Sequence, residues 1–176
     1  MPELSPEMRP IDIRRADPSD SQDLAQLGRA TFVDTFGHLY PQADLQTFLE
    51  RNHRPERYEA WIDDPTYAVW IAEQAGRPVA YALAGPCALP HPEVTSGCGE
   101  LKRIYLAKAA QGLGLGARLL DTVLDELARP GRRLWLGVWS GNLRAQRLYA
   151  SRGFINVGEY LFPVGQTLDR EFILRR

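Results

Sequence analysis

Glu100-Leu101-Lys102-Arg103-Ile104-Tyr105-Leu106, a short turn over Ala107–Ala110, and then Gln111-Gly112-Leu113-Gly114-Leu115-Gly116-Ala117 decide how this chain folds. The first run reads as a strand, and the glycines at alternate positions read as a turn. Beyond them Leu115, Leu119, Leu120, Val123, Leu124 and Leu127 form one broad apolar face at helical spacing. The three glycines remove side chains that would hold a ligand off the backbone, and the first N–H groups of the helix have no internal partner. An anion, most naturally a phosphate or pyrophosphate, suits such a turn. Arg133–Trp139 reads as the next, buried strand. The resulting β-α-β unit implies a parallel pair joined by a right-handed crossover.

Upstream, Ile11–Arg14 alternates like a short strand, and Ser19 with Gln22 has the spacing of a capping box. A helix is predicted from there to about Phe36, ended by Gly37, with further helices over Asp44–Arg51 and from Pro55 to just before Pro65. Tyr67–Ala72 and Pro78–Ala84 flank the turn Gln74–Arg77 and read as a hairpin; the loop Gly85–Gly97 then leads to a strand from near Cys98 to Leu106. Downstream, a helix from about Asn142 to Ser151 ends at Gly153, and Phe154–Phe162 and Arg170–Leu174 read as two strands joined through Pro163–Leu168. The order β-α-α-α-β-β-β-α-β-α-β-β describes a three-layer mixed α/β fold with about seven strands and flanking helices. One domain over residues 1–176 is expected from the length.

Composition narrows the partners. The chain is 44% hydrophobic and 24% charged with a formal net charge of -1, so no global field draws it to nucleic acid or a membrane. The basic pairs Lys102-Arg103, Arg132-Arg133 and Arg175-Arg176 read as solvated surface. Cys87 and Cys98 have no metal-ligand spacing, so no metal is expected, and Met1–Pro10 is polar and proline-broken, unlike a signal peptide. Both features favour a reduced, cytoplasmic protein. The uncharged run Pro78–Pro92 is broken by Gly85, Pro86 and Pro90, whereas a membrane span needs about 20 apolar residues.

The glycine turn does not match either common nucleotide fingerprint. A P-loop would carry Lys followed by Ser or Thr after its last glycine, where Ala117-Arg118 stands. The dinucleotide pattern Gly-x-Gly-x-x-Gly is also unmet. The pattern Gln/Arg-x-x-Gly-x-Gly/Ala, met by Gln111, Gly114 and Gly116, resembles that of the GNAT family of N-acetyltransferases. Glu100–Leu106 resembles the strand ahead of that loop. Trp139-Ser140-Gly141-Asn142 through Ala145 to Tyr149, with Gly153-Phe154, resembles the family's second cofactor motif. The likeness is best from Val69 to Val157. Thr35-Phe36-Gly37 together with the Glu-Leu-Lys-Arg run points toward the polyamine-acetylating branch. One departure is Ala107–Ala110, which lacks the usual proline and aromatic residue.

The resemblance implies acetyl-CoA as cosubstrate and a small-molecule amine as acceptor. It places the pyrophosphate on Gln111, Gly112, Leu113, Gly114, Leu115, Gly116 and Ala117. The pantetheine arm would pair along Ile104, Tyr105 and Leu106, on a strand that carries a bulge and splays from the next, with help from Asn142. Tyr149 would be the general acid for the leaving thiolate. Glu100 would be the base, directly or through water, because an alkyl ammonium with a pKa near 10.4 must lose a proton before it attacks. Each of these residues also has a plainer structural role: Tyr149 as helix packing, Asn142 as an N-cap, Glu100 as an edge carboxylate. Phe36, Tyr40 and Trp61 serve either an acceptor pocket or the core, and His38 and His91 read as solvated loop residues. A non-catalytic acyl-CoA-binding module, a dinucleotide-binding domain, and acetylation of a protein N-terminus or lysine are the competing readings. Neither the acceptor nor the assembly, monomer or homodimer, is legible.

Overall fold

The computed structural model describes residues 10–176. The segment behind the signal-peptide expectation, apart from Pro10, lies outside the described residues. The strands are β1 (Ile11–Arg15), β2 (Ala68–Gln74), β3 (Arg77–Pro86), β4 (Gly99–Leu106), β5 (Leu134–Trp139), β6 (Ile155–Val164) and β7 (Thr167–Arg175). The α-helices are α1 (Ser21–Phe36), α2 (Gln42–Asn52), α3 (Pro55–Asp63), α4 (Leu115–Leu127) and α5 (Leu143–Ala150). The strands form one seven-stranded sheet in the order β1-β2-β3-β4-β5-β7-β6. The order of elements along the chain is the one read from the sequence.

Helices cover both faces because the strands alternate their apolar side chains. On one face Leu119, Leu120 and Val123 of α4 meet Ala80, Ala82 and Ala84 of β3 and Leu101 of β4. The small alanines let the helix lie close to the sheet, and each fully buried leucine contributes roughly 1.5–3 kcal/mol. On the other face Leu24 of α1 and Tyr58 and Trp61 of α3 pack on Val69, Ile71, Tyr81 and Leu83. Gly28, inside α1, makes room there: a Cβ at that position would lie 2.2 Å from the Tyr58 hydroxyl and 2.4 Å from His53 Nδ1. No described helix is long and apolar enough to cross a membrane.

Two local expectations are corrected. The capping box does not use Ser19 and Gln22. Asp17 accepts from Ser19 N at 2.9 Å, and Asp20 accepts from Asp17 N at 2.8 Å, around a short 3-10 turn at Pro18–Asp20 that precedes α1. Pro18 presets the first-turn backbone, and carboxylates are stronger acceptors than a serine hydroxyl. Arg14 then holds Asp20 through two hydrogen bonds of 2.7 and 2.8 Å, which pulls its pKa below the usual range. The connection between the last two strands is also shorter than Pro163–Leu168. β6 and β7 run to Val164 and from Thr167, leaving Gly165 and Gln166 as the turn, clamped by Asp44 of α2 through Gln166 N at 3.0 Å and Thr167 Oγ1 at 2.7 Å. Pro163 is tolerated because β6 is the outer strand.

The site depends on two irregularities of β4. Leu83 of β3 pairs with Arg103, whereas Ala84 pairs with Leu101, so Lys102 is an extra residue and β4 carries a bulge. On its other side β4 is parallel to β5, and the two pair only at Gly99 with Leu134 and Glu100 with Trp135. Beyond Glu100 the strands separate. The bulge and the splay implied by the family resemblance are therefore both present.

Candidate active site

The separation of β4 from β5 opens a cavity of about 560 Å³. Its lining brings together Glu100, Ile104, Tyr105, Leu106, Gln111, Gly112, Gly114, Gly116, Ala117, Asn142 and Tyr149, most of the residues expected from sequence. Leu113 and Leu115 are the exceptions. Leu113 is 67% exposed and its side chain does not line the cavity, and Leu115 is 1% exposed, buried against the sheet, so only its backbone can serve a ligand.

The glycine turn is shaped by its backbone. Gly112 and Gly114 have φ of 86° and 75°, a left-handed region costly for other residues, and Gly114 sits immediately before α4. A Cβ at either would meet no protein atom within 4 Å, so the missing side chains clear the ligand side of the loop. Gly116 is different, because a Cβ there would make ordinary contact with Leu106 at 3.7 Å. Gln111 ties the loop to the strand end through Nε2 to Leu106 O at 3.3 Å and receives Arg144 Nη1 at 3.4 Å. Arg144, unremarked in the sequence, thereby stands beside the N-terminus of α4.

α5 supplies the opposite wall. Asn142 Oδ1 accepts from Ala145 N at 3.1 Å and caps that helix while also lining the cavity, so its two proposed roles are geometrically compatible. At the other end Gly153 adopts φ 82°, and Phe154 N returns to Tyr149 O at 3.2 Å. Phe154 packs edge-on against the Tyr149 ring, with centroids 6.1 Å apart. Phe154 thus holds Tyr149 through both its backbone and its ring. Burial, then Tyr105 and Glu171, raise its pKa above the ordinary tyrosine value, so it remains a protonated donor at neutral pH.

Glu100 is 8% exposed and firmly partnered. Its Oε2 accepts from Ala88 N at 2.8 Å and from Lys102 Nζ at 2.9 Å. The Lys102-Arg103 pair, expected as solvated surface, is turned inward instead. Arg103 lies 4.8 Å from the Trp61 ring centroid and donates to Asn52 O at 3.1 Å and the Tyr58 hydroxyl at 3.3 Å. The bulge re-aims both side chains. Tyr58 in turn meets His53 Nδ1 and the Tyr81 hydroxyl, each at 2.8 Å, making a buried polar network behind the cavity.

The acceptor side combines aromatic rings with carboxylates. Phe36, Tyr40 and Trp61 do line the cavity, and Phe36 also belongs to a core cluster with Phe32 and Phe48. Glu171 and Asp169 of β7 reach the same space, the former bound by the Tyr160 hydroxyl at 2.6 Å and the latter by the Tyr40 hydroxyl. Neither carboxylate was singled out from sequence. Their only signal was polar residues on the inward face of a closing strand. His38 is exposed as expected, whereas His91 packs on Trp135 with ring centroids 5.0 Å apart. Cys87 and Cys98 are free thiols.

Residues 33–154 match the model of the Acetyltransferase (GNAT) family. The uncharacterized N-acetyltransferase in the pepI 3′ region of Lactobacillus delbrueckii subsp. lactis is 30% identical over 171 residues, 96% of this chain and 98% of that protein. Among solved structures, the PaiA N-acetyltransferase of Thermoplasma acidophilum in complex with coenzyme A superposes with a TM-score of 0.76 at 16% identity, over 95% of this chain and 98% of that one. The yncA acetyltransferase of Salmonella typhimurium with acetyl-CoA does so at 0.65 and 25% identity, over 94% and 92%. With the bulged and splayed β4, the glycine turn and a capped helix carrying Tyr149, these matches show that the chain belongs to the GNAT family and is an acetyl-CoA-dependent N-acetyltransferase.

Proposed function

We propose that this enzyme transfers acetyl from acetyl-CoA to a primary amine, a small amine or polyamine, within a ternary complex and without a covalent enzyme intermediate. The supporting observation is the single cavity that joins the glycine turn, the free edge of β4, Tyr149 and the carboxylate-and-aromatic wall. Acetyl-CoA supplies the thioester. The N–H groups from Gly112 to Ala117 receive the pyrophosphate, with Arg144 nearby adding positive charge. The β5-facing edge of Ile104–Leu106, whose other edge pairs with β3, and the Asn142 side chain hold the pantetheine amides. Tyr149 donates a proton to the leaving sulfur.

Glu100, ion-paired with Lys102, acts on the amine through its charge and through water. Aromatic rings beside Asp169 and Glu171 favour an alkyl ammonium over an anionic or bulky polar acceptor. We place the activity in one domain, in the cytoplasm. The test is release of free thiol from acetyl-CoA across a panel of amines, peptides with free N-termini and lysine peptides. Preference for small amines or polyamines supports this reading, and preference for peptides favours the protein-acetylating alternative.

A further inference from the structure

Glu171 stands opposite Trp139 in the β5–β7 ladder, and its carboxylate lies over the backbone of Gly137. A Cβ at Gly137 would come within 2.7 Å of Glu171 Oε2 and 2.8 Å of the Tyr160 hydroxyl. Glycine weakens a strand interior, and such a position often marks a close approach. Here the approach is made by an acidic side chain and its tyrosine partner. That pair lines the cavity shared with Tyr149.

The partners of the two glutamates differ. Glu100 has a backbone N–H and a lysine on the same oxygen. Glu171 has one hydrogen bond, from Tyr160 to Oε2 at 2.6 Å, and among the described residues no lysine, arginine or histidine pairs with it. A half-buried carboxylate in that condition lacks the cation that ordinarily offsets its desolvation. The groups that act on it are Tyr160 from β6, Asp169 from β7 and Glu100 from β4. Tyr40, Tyr105 and Tyr149 respond to its charge in turn. No cation stands among these six. Burial, Asp169 and Glu100 raise the Glu171 pKa above the usual carboxylate value, while the Tyr160 hydrogen bond lowers it in part. A carboxylate tuned in this direction is a better proton acceptor than an ordinary one.

We propose that Glu171, held by Tyr160 over Gly137, is the group that receives the acceptor's ammonium and takes its proton. The inference rests on the acetyl-transfer reading and adds the residue that completes it. The ammonium gives one proton to Glu171, and the freed nitrogen lone pair forms the N–C bond at the thioester carbonyl. Collapse of the tetrahedral adduct breaks the C–S bond, and the sulfur takes its proton from Tyr149. The nitrogen's second proton restores Tyr149 through water. Glu171 releases its proton to solvent, so one proton leaves per turnover. Glu100 contributes field rather than proton transfer.

The test compares kcat/KM against pH for wild type, Glu171→Gln, Glu171→Asp and Glu100→Gln, using acetyl-CoA and 1,4-diaminobutane or the fastest amine of the panel. Glutamine keeps an acceptor for the Tyr160 hydroxyl, and thermal melting with and without CoA checks folding and cofactor binding. Glu171→Gln is expected to lose about 10²–10⁴-fold at neutral pH. It should recover part of that loss as pH rises and free amine accumulates, with Glu171→Asp falling between the two and Glu100→Gln losing less. Glu171→Gln within threefold of wild type with an unchanged profile, or a larger loss in Glu100→Gln, overturns the assignment. Wild type that binds acetyl-CoA but turns over no amine defeats the acetyl-transfer reading itself, and this one with it.

Discussion

Lys102 Nζ lies 2.9 Å from Glu100 Oε2, and Lys102 is the extra residue of the β4 bulge. The irregularity that parts β4 from β5 is thus tied by an ion pair to the last residue that still pairs across the gap. Side chains 17% and 11% exposed make this pair far less screened than a surface bridge. Lys102→Met leaves Glu100 with only the Ala88 N–H and is expected to cost about 1–3 kcal/mol. Adding Glu100→Gln should return part of that loss. Denaturant unfolding of the two single variants and the double variant gives the coupling; additive losses would mean that the two residues act independently.

Tyr149→Phe removes the hydroxyl and keeps the ring against Phe154. Turnover should fall by about 10²–10⁴-fold while acetyl-CoA affinity, read by CoA-induced thermal stabilisation, stays within threefold. Because burial raises its pKa, Tyr149 should cause no basic limb in the wild-type profile below about pH 10. Undiminished turnover in the variant would remove Tyr149 from the chemistry.

The glycines of the turn should separate into two kinds. Gly114→Ala forces alanine to φ near 75° and should cost about 1 kcal/mol of stability in addition to weakening acetyl-CoA binding. Gly116→Ala adds a methyl group at ordinary contact with Leu106 inside a helix, where alanine is favoured by up to about 1 kcal/mol. It should keep or raise the melting temperature while raising the KM for acetyl-CoA. A parallel loss of stability in both variants would contradict this division.

His53 is 1% exposed, and burial, followed by the charges of Arg103 and Arg29, pushes its pKa down to about 3. The unfolded chain binds a proton near pH 6.5, and the folded one does not until about pH 3. The stability associated with neutral His53 is therefore complete above pH 6.5 and is lost as pH falls toward 3, by about 2 kcal/mol at pH 5. His53→Phe should flatten that part of the pH-stability curve obtained by denaturant titration. An unchanged slope would place the acid sensitivity elsewhere.

The sequence made legible what depends on neighbours along the chain. The leucine face of α4 marked a helix, Gly112 and Gly114 marked a turn, and the spacing from Asn142 to Tyr149 put a cap and a hydroxyl at opposite ends of one short helix. The capping box ahead of α1 lies two residues earlier than the Ser19 and Gln22 spacing suggests, because Asp17 takes Ser19 N and Asp20 takes Asp17 N around the Pro18–Asp20 turn. Contacts made by the fold at long range were not legible. Glu171 meets Tyr160 only when β6 and β7 pair, and both approach Gly137 only because β7 also lies beside β5. Arg103 reads as a surface cation until the bulge at Lys102 turns it onto Trp61.

Initial velocities of thiol release, measured over a matrix of acetyl-CoA and amine concentrations with N-acetylated product counted by mass, test the central claim most directly. Direct transfer in a ternary complex predicts intersecting double-reciprocal lines, one thiol per acetylated amine and no acetylated enzyme. Parallel lines with acetyl trapped on the protein, or stoichiometric acetyl-CoA binding with no amine-dependent thiol release, would contradict it.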